Sequence, residues 1–148
     1  MKALDTPILL GILEGEPSCR ALLKRLRGIE VATTEANLLE LGYIAAQGSP
    51  RSQAARRASL ERLRRKLTVL PIDSRAVELA TAHVARSGTR PPPLVTAMLG
   101  ALEAAGCDEL FTRERPETLG KWRLRVSNAT RTNPKTRWTS YPHALRTV

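Results

Sequence analysis

Hydrophobic and polar positions follow two alternating periods along most of the chain. Short apolar runs typical of buried strands are separated by longer segments in which apolar residues recur every three or four positions, as on one face of a helix. The predicted strands cover residues 2–4, 29–32, 67–72 and 108–112, with a fifth candidate at 122–126. The predicted helices begin near residues 7, 18, 33, 50, 73 and 94. This alternation predicts an α/β fold, in which right-handed crossovers build a central parallel sheet of four to five strands covered on both faces.

The amino-acid composition indicates one folded domain. The 148 residues are 42% hydrophobic but only 3% aromatic, so Leu, Ala, Val and Ile must form the core. No apolar run approaches the roughly 18 residues of a membrane span, and the N-terminus lacks the pattern of a signal peptide, so we expect a cytoplasmic protein. The two cysteines, Cys19 and Cys107, are far apart and predict buried free thiols rather than a metal site.

The formal net charge of +10 favours a polyanionic partner, and nucleic acid is the first candidate. Most of the cations are arginines, which suit phosphate contacts but can equally reflect genome composition. Residues 50–66 carry seven Arg or Lys against the single acid Glu61. This segment is either an ordinary solvated helix face or a surface that requires phosphates or an acidic partner, because like charges one helical turn apart repel.

The last segment, residues 127–148, differs in composition from the rest. It breaks every hydrophobic period, and beyond Glu117 the chain carries seven Arg or Lys and no acid. We therefore predict a domain over residues 1–126 followed by a basic C-terminal tail. The tail either is disordered and binds nucleic acid, or docks on this subunit or a second one through Trp138 and Tyr141.

Three carboxylates occupy corresponding positions relative to the predicted strands. Asp5 follows the first strand, Glu40 lies one to two turns into the helix after the second, and Glu114 follows the fourth. We expect them to meet, since the carboxyl ends of parallel strands share one edge of a sheet. Two such charges 4 Å apart repel by about 4 kcal/mol at an effective dielectric constant of about 20, and Mg²⁺ or Mn²⁺ among them would offset this repulsion. Such a site supports metal-assisted hydrolysis of a phosphodiester.

Each acid also has a simpler explanation when it is taken alone. Asp5 is a suitable helix N-cap, Glu40 a helix-surface acid paired with an arginine, and Glu114 a loop acid between two arginines. The joint order of the three along the chain favours the shared site.

In these motifs the sequence resembles the PIN-domain ribonucleases, and in particular the VapC toxins of prokaryotic toxin–antitoxin pairs. The resemblance covers about residues 1–126. Its matching stretches are Leu4-Asp5-Thr6 before an apolar helix, Asn37-Leu38-Leu39-Glu40-Leu41, and Glu109-Leu110-Phe111-Thr112-Arg113-Glu114-Arg115.

The resemblance implies a three-layer α/β/α fold, Mg²⁺- or Mn²⁺-dependent cleavage of RNA, a homodimer, and an antitoxin protein that blocks the site. It assigns catalysis and metal binding to Asp5, Glu40 and Glu114, with Thr6 and Thr112 as site hydroxyls. The arginines expected to contact RNA are Arg56, Arg57, Arg64, Arg65, Arg113 and Arg115.

One position departs from the family pattern. The family usually carries an Asp at the start of the helix before the fourth strand, and this chain has no acid between Pro92 and Thr96. The position falls at Val95 or Thr96, and Glu103 cannot replace it because it lies roughly 10 Å further along the helix. Asp108 is no better placed.

The loss of one carboxylate implies weaker metal binding and reduced or absent activity. The chain is therefore either an impaired ribonuclease or an inactive PIN-fold protein that binds RNA or an antitoxin partner without cleaving. A flavodoxin-like regulator is disfavoured, since no glycine-rich phosphate loop follows the first strand.

Overall fold

The strands and helices of the chain alternate in the order that the hydrophobic pattern predicts. A computed structural model describes residues 1–129. The strands are β1 (Lys2–Leu4), β2 (Val31–Thr34), β3 (Thr68–Leu70), β4 (Glu109–Thr112) and β5 (Arg125–Asn128). The helices in the same range are α1 (Thr6–Leu13), α2 (Pro17–Arg25), α3 (Glu35–Ala45), α4 (Pro50–Arg64), α5 (Ser74–Arg86), α6 (Pro93–Ala104) and α7 (Pro116–Leu119).

The five strands form one parallel sheet with β1 at its centre. Their order is β3-β2-β1-β4-β5, and Lys2 of β1 lies opposite Val31 on one side and Glu109 on the other. The chain thus adds β2 and β3 on one side of β1 and then crosses to the other side with β4. Ligands of open α/β sheets bind at such a reversal, outside the carboxyl ends of the strands, which here is the crevice between β1 and β4.

Apolar clusters cover both faces of the sheet, and successive residues of β1 belong to different ones, as expected for a strand. Ala3 packs in one cluster with Leu99 of α6, whereas Leu4 packs in the other with Ile8 of α1 and Leu22 of α2. Helix α3 contributes to both clusters, and α5 packs against α6. The molecule is therefore a three-layer α/β/α structure, which confirms the predicted fold class.

Two strands lie later in the sequence than predicted. β2 covers Val31–Thr34 rather than residues 29–32, because Ile29 is exposed while Thr33 and Thr34 are fully buried. β5 covers Arg125–Asn128 rather than residues 122–126, because Trp122 lies before the strand and stacks on His83 of α5, with ring centroids 3.8 Å apart.

The sheet consequently extends two residues past the predicted domain boundary at residue 126. The remainder of the predicted basic tail, residues 130–148 with Trp138 and Tyr141, lies outside the described residues. Cys19 and Cys107 are buried free thiols, as predicted. Within residues 1–129, no helix combines the length and the apolar character that a membrane span requires.

Helices α5 and α6 approach each other closely at Gly100. A Cβ atom on Gly100 would lie 2.2 Å from the carbonyl oxygen of Ala76 and 2.9 Å from Cβ of Ala80. Both distances are shorter than van der Waals contact, so any larger residue would push the helices apart. Gly100 therefore sets the separation of α5 and α6.

Candidate active site

Asp5 lies at the carboxyl end of β1, at the junction with α1. Its Oδ1 accepts a hydrogen bond from the backbone N–H of Ile8 at 3.2 Å and thereby caps α1. A second hydrogen bond comes from the hydroxyl of Thr112 at the end of β4. The residue is only 4% exposed. Asp5 is therefore an N-cap and, at the same time, a buried acid in the crevice between β1 and β4.

The other two acids approach Asp5 from different elements. Glu40 is half-buried on α3, and Glu114 is exposed two residues beyond β4. Burial, with smaller contributions from the charges of Glu114 and Glu40, raises the pKa of Asp5 to about 7 against the opposing effect of its hydrogen bonds with Thr112 and Ile8. The structure thus brings the three carboxyl groups close enough for their charges to interact at one end of the sheet.

The two predicted site hydroxyls each contact one or two of these acids. Thr6 donates a hydrogen bond to Glu40, whose pKa is raised by burial and held back by this bond. The Thr112 hydroxyl donates to Asp5 and accepts from the backbone N–H of Glu114 at 3.0 Å. Both threonines are buried. They therefore fix the orientation of the acids rather than face solvent themselves.

A buried amide next to these groups was not among the predicted site residues. Asn37 lies in the first turn of α3 and is 2% exposed. Its side chain forms a capping box with Thr34 and also donates a hydrogen bond to Thr6 at 3.1 Å. A Thr followed three residues later by Asn at a predicted helix start predicts only the cap, and the matching stretch that begins at Asn37 assigns it no role.

Thr96 is one of the two residues at which the family pattern expects an acid, and its hydroxyl is hydrogen-bonded within the start of α6. The side chain is buried, and Oγ1 donates to the carbonyl oxygens of Pro91 and Pro92, both at 3.1 Å. The hydrogen of this hydroxyl is therefore held by the backbone at the start of α6, and Thr96 supplies no carboxylate there.

The two other acids that could replace the missing carboxylate each form an ion pair with another group. Glu103 forms an ion pair with Arg123 at 3.9 Å, and Asp108 binds the N-terminal amine of Met1 at 2.7 Å. Asp108 precedes β4, so it sits at the amino-terminal edge of the sheet, opposite to Asp5. Neither acid supplies the missing carboxylate.

The donor set matches a hard divalent cation in chemistry. Three carboxyl groups provide the oxygen ligands that Mg²⁺ and Mn²⁺ prefer. Burial is the main cause of the raised pKa of Asp5, and the charges of Glu114 and Glu40 add a smaller contribution that a cation would counteract. In residues 1–129, however, no three His, Cys, Asp or Glu side chains are grouped closely enough to enclose an ion. The three carboxyl groups therefore have the chemistry that a divalent cation requires but are not grouped around one point, and the first turn of α6 supplies no acid.

The arginines predicted to contact RNA differ in their surroundings. Five of them have exposed side chains, namely Arg56, Arg57, Arg64, Arg65 and Arg115. The guanidinium group of Arg113 instead forms a 2.5 Å ion pair with Glu16 and a 3.0 Å contact with Sγ of Cys19. Its side chain is 15% exposed, so the positive charge lies within the fold beside α2 rather than on the surface expected from the sequence.

An apolar groove of about 360 Å³ lies between α1, α3 and α4. Its lining includes Leu10, Leu13, Leu41 and Leu60 together with one acid, Glu14, and one base, Arg56. Helix α3 also exposes Leu39 and Tyr43, whose accessible fractions are 66% and 51%. Apolar surface beside basic residues is typical of protein interaction sites.

Comparisons with known proteins agree with this architecture. Solved structures with the same fold include VapBC2 from Rickettsia felis bound to a fragment of promoter DNA (15% identity, TM-score 0.74, 86% of this chain and 97% of that one). They also include DNA-bound VapBC from Salmonella typhimurium (21% identity, TM-score 0.74, 87% and 98%) and a toxin–antitoxin complex from Klebsiella pneumoniae (16% identity, TM-score 0.67, 88% and 98%). No curated protein matches the chain at a significant level.

Sequence identities this low show only that the fold is shared. The family of the chain follows instead from a match to a family model. The model for the PIN domain matches residues 2–114, which include β1 to β4 and all three acids of the crevice. That match covers most of the chain, and the five-stranded parallel sheet agrees with it. The chain belongs to the PIN domain family.

Proposed function

We propose that this protein is an endoribonuclease of the VapC type that depends on Mg²⁺ or Mn²⁺, with activity limited by the missing acid of α6. The observation that supports this proposal is the convergence of Glu40 and Glu114 on buried Asp5 at the β1–β4 crevice. Acids of a folded surface are usually exposed or paired with cations, whereas Asp5 is buried, and the charges of Glu114 and Glu40 add to the effect of burial in raising its pKa.

Each residue of the crevice has a defined part in the proposed reaction. A bound divalent ion would supply a Lewis acid for the scissile phosphate and lower the pKa of the attacking water. Asp5, held by the Ile8 N–H and the Thr112 hydroxyl, provides a carboxylate whose orientation is fixed. Glu40 is oriented by Thr6, while Glu114 remains exposed and accessible to the substrate side.

The exposed arginines would hold the RNA backbone. Arg57, Arg64 and Arg65 lie on α4 or at its end without a buried anion beside them, and the only acid of that helix, Glu61, reaches Arg64 at 3.7 Å. Such a surface binds phosphates with release of counterions. We expect binding by this surface to weaken as salt is raised.

Cleavage of structured RNA in the presence of Mn²⁺ tests the proposal. Asp5→Asn keeps the N-cap and the side-chain shape but removes the charge, so we expect it to abolish the Mn²⁺-dependent cleavage of the native chain. The matched control is Asp108→Asn, which alters an acid at the opposite edge of the sheet and should cleave as the native protein does. Equal cleavage by Asp5→Asn and native protein would contradict the proposal.

A second candidate function is the binding of RNA or an antitoxin without cleavage. It is favoured by Thr96, which is hydrogen-bonded to the carbonyl oxygens of Pro91 and Pro92 and provides no carboxylate. If the frame is intact and only this ligand is missing, Thr96→Asp should bind Mn²⁺ more tightly than the native chain in titration calorimetry. The gain should be accompanied by faster RNA cleavage. A Thr96→Asp variant that folds but binds Mn²⁺ no better would show that the defect lies beyond this position.

We also propose that an antitoxin-type partner covers the apolar groove between α1, α3 and α4. The groove combines leucine side chains with Arg56 and Glu14, which suits a partner segment that places apolar residues against the leucines and charged residues beside them. A homodimer is a further part of the proposal. Light scattering on the isolated chain should then give twice its 16.3 kDa mass, and a monomer at micromolar concentration would contradict the dimer.

A further inference from the structure

The orientation of the Asn37 amide is determined by a backbone N–H, a group that can only donate. Its Oδ1 accepts from the backbone N–H of Thr34 at 3.2 Å and from the Thr34 hydroxyl at 2.7 Å. Because a backbone N–H has no acceptor atom, the amide oxygen must face Thr34. The amide nitrogen, Nδ2, must therefore face the other side, toward α1 and α6.

On that side Nδ2 meets two acceptors from distant parts of the chain. It donates to Oγ1 of Thr6 at 3.1 Å and approaches Sδ of Met98 at 3.2 Å. With two bonds accepted and two donated, every hydrogen-bonding group of the Asn37 side chain has a partner. A residue that only capped α3 would need the contacts to Thr34 alone.

The contact with Asn37 sets the direction of the Thr6 hydroxyl. That hydroxyl has one hydrogen, and its oxygen is already the acceptor for Nδ2. The hydrogen is consequently free to point at the carboxylate of Glu40, with which Thr6 forms a hydrogen bond. Consecutive hydrogen bonds of this kind strengthen one another in a buried environment.

We propose that Asn37 is a positioning residue, which orients the Thr6 hydroxyl so that Thr6 holds the Glu40 carboxylate toward Asp5. The role deepens the proposed function, since it concerns the acids that would bind the divalent ion. Asn37 touches neither the ion nor the substrate. Outer partners of this kind fix the geometry of ligands, and their loss typically weakens metal binding by about 10- to 100-fold.

Mn²⁺ affinity of folded variants, measured by titration calorimetry, tests the proposal. Asn37→Leu and Thr6→Val should each bind about 10-fold or more weakly than the native chain, and the double variant should be no weaker than either single variant. Thr6→Ser keeps the hydroxyl and should bind Mn²⁺ as the native protein does.

Thr34→Val is the matched control. It removes the capping hydroxyl of α3 and that hydroxyl's bond to the Asn37 amide oxygen, but it leaves the backbone N–H that fixes the amide and the amide contact with Thr6. It should lose stability and keep native Mn²⁺ affinity. Native affinity in Asn37→Leu, or an equal loss in Thr34→Val, would overturn the positioning role.

A metal-free measurement separates this inference from the proposed nuclease activity. In the native protein and in Thr34→Val, proton NMR should show a nuclear Overhauser contact between the buried Thr6 hydroxyl and the Glu40 side chain. The contact should be lost in Asn37→Leu. If it persists there, Asn37 does not orient Thr6, whatever the result with Mn²⁺; if the native chain binds no Mn²⁺, the proposed function fails and this NMR comparison still decides the role of Asn37.

Discussion

The surroundings of Asp5 act on its pKa in opposite directions. Its hydrogen bonds with Ile8 and Thr112 stabilise the carboxylate, whereas burial beside Glu114 and Glu40 disfavours the charge and raises the pKa to about 7. Near neutral pH the metal-free protein therefore holds a fraction of Asp5 protonated. Functional sites often keep a buried acid despite its cost in stability, because its negative charge can attract a cation.

This conflict predicts a specific pH dependence of stability. The pKa of Asp5 is higher in the folded than in the unfolded chain, so its stabilising contribution is complete below about pH 3.8 and is lost as pH rises through about 7. Asp5→Asn cannot ionise and should gain about 2–3 kcal/mol of unfolding free energy relative to the native chain between pH 5 and pH 8. Urea unfolding without divalent metal measures this difference, and a difference that is the same at both pH values would contradict it.

At the scale of the elements, the packing of α6 on α5 positions the segment where the fourth acid is missing. Gly100 allows this approach, and the helix starts at Pro93 so that Thr96 bonds back to Pro91 and Pro92. Since α6 also supplies Leu99 to the core, its position relative to the sheet is fixed by packing. The geometry at Thr96 is thus a property of the whole helix pair.

Replacement of Gly100 tests this packing directly. Gly100→Ala should destabilise the protein by about 1–3 kcal/mol, because the added methyl group overlaps the carbonyl oxygen of Ala76. Gly42→Ala in α3 is the control, since a Cβ there meets no atom within 4 Å, and it should be neutral or stabilising by up to about 1 kcal/mol. Similar thermal unfolding midpoints for the two variants would refute the close approach of α5 and α6.

For the whole molecule, the features that depend on local sequence could be predicted and those that depend on distant partners could not. The positions of Asp5 and Glu114 follow from the rule that parallel strands end at one edge, which requires only strand order. The charge pattern marked Arg113 as a surface cation, but Glu16, its partner, lies 97 residues away. Asn37 likewise gains its contact with Thr6 only when α3 packs against the start of α1.

The boundaries of the strands likewise depend on contacts with distant parts of the chain. The apolar residues of 29–32 predicted β2, yet tertiary packing buries Thr33 and Thr34 and leaves Ile29 exposed, so the strand begins two residues later. The missing acid of α6 was visible in the sequence. The hydrogen bonds of Thr96 to the carbonyl oxygens of Pro91 and Pro92 were not, because they depend on the backbone conformation of that segment.

The most direct test of the shared site is the position of Mn²⁺ in crystals of the native protein soaked with that ion. An anomalous difference map should show a peak in contact with the carboxyl groups of Asp5 and Glu114, with Glu40 turned toward it. Crystals of Asp5→Asn soaked in the same way should lack the peak. A native map without density between Asp5 and Glu114, or with the ion bound elsewhere, would contradict a common metal site at the β1–β4 crevice.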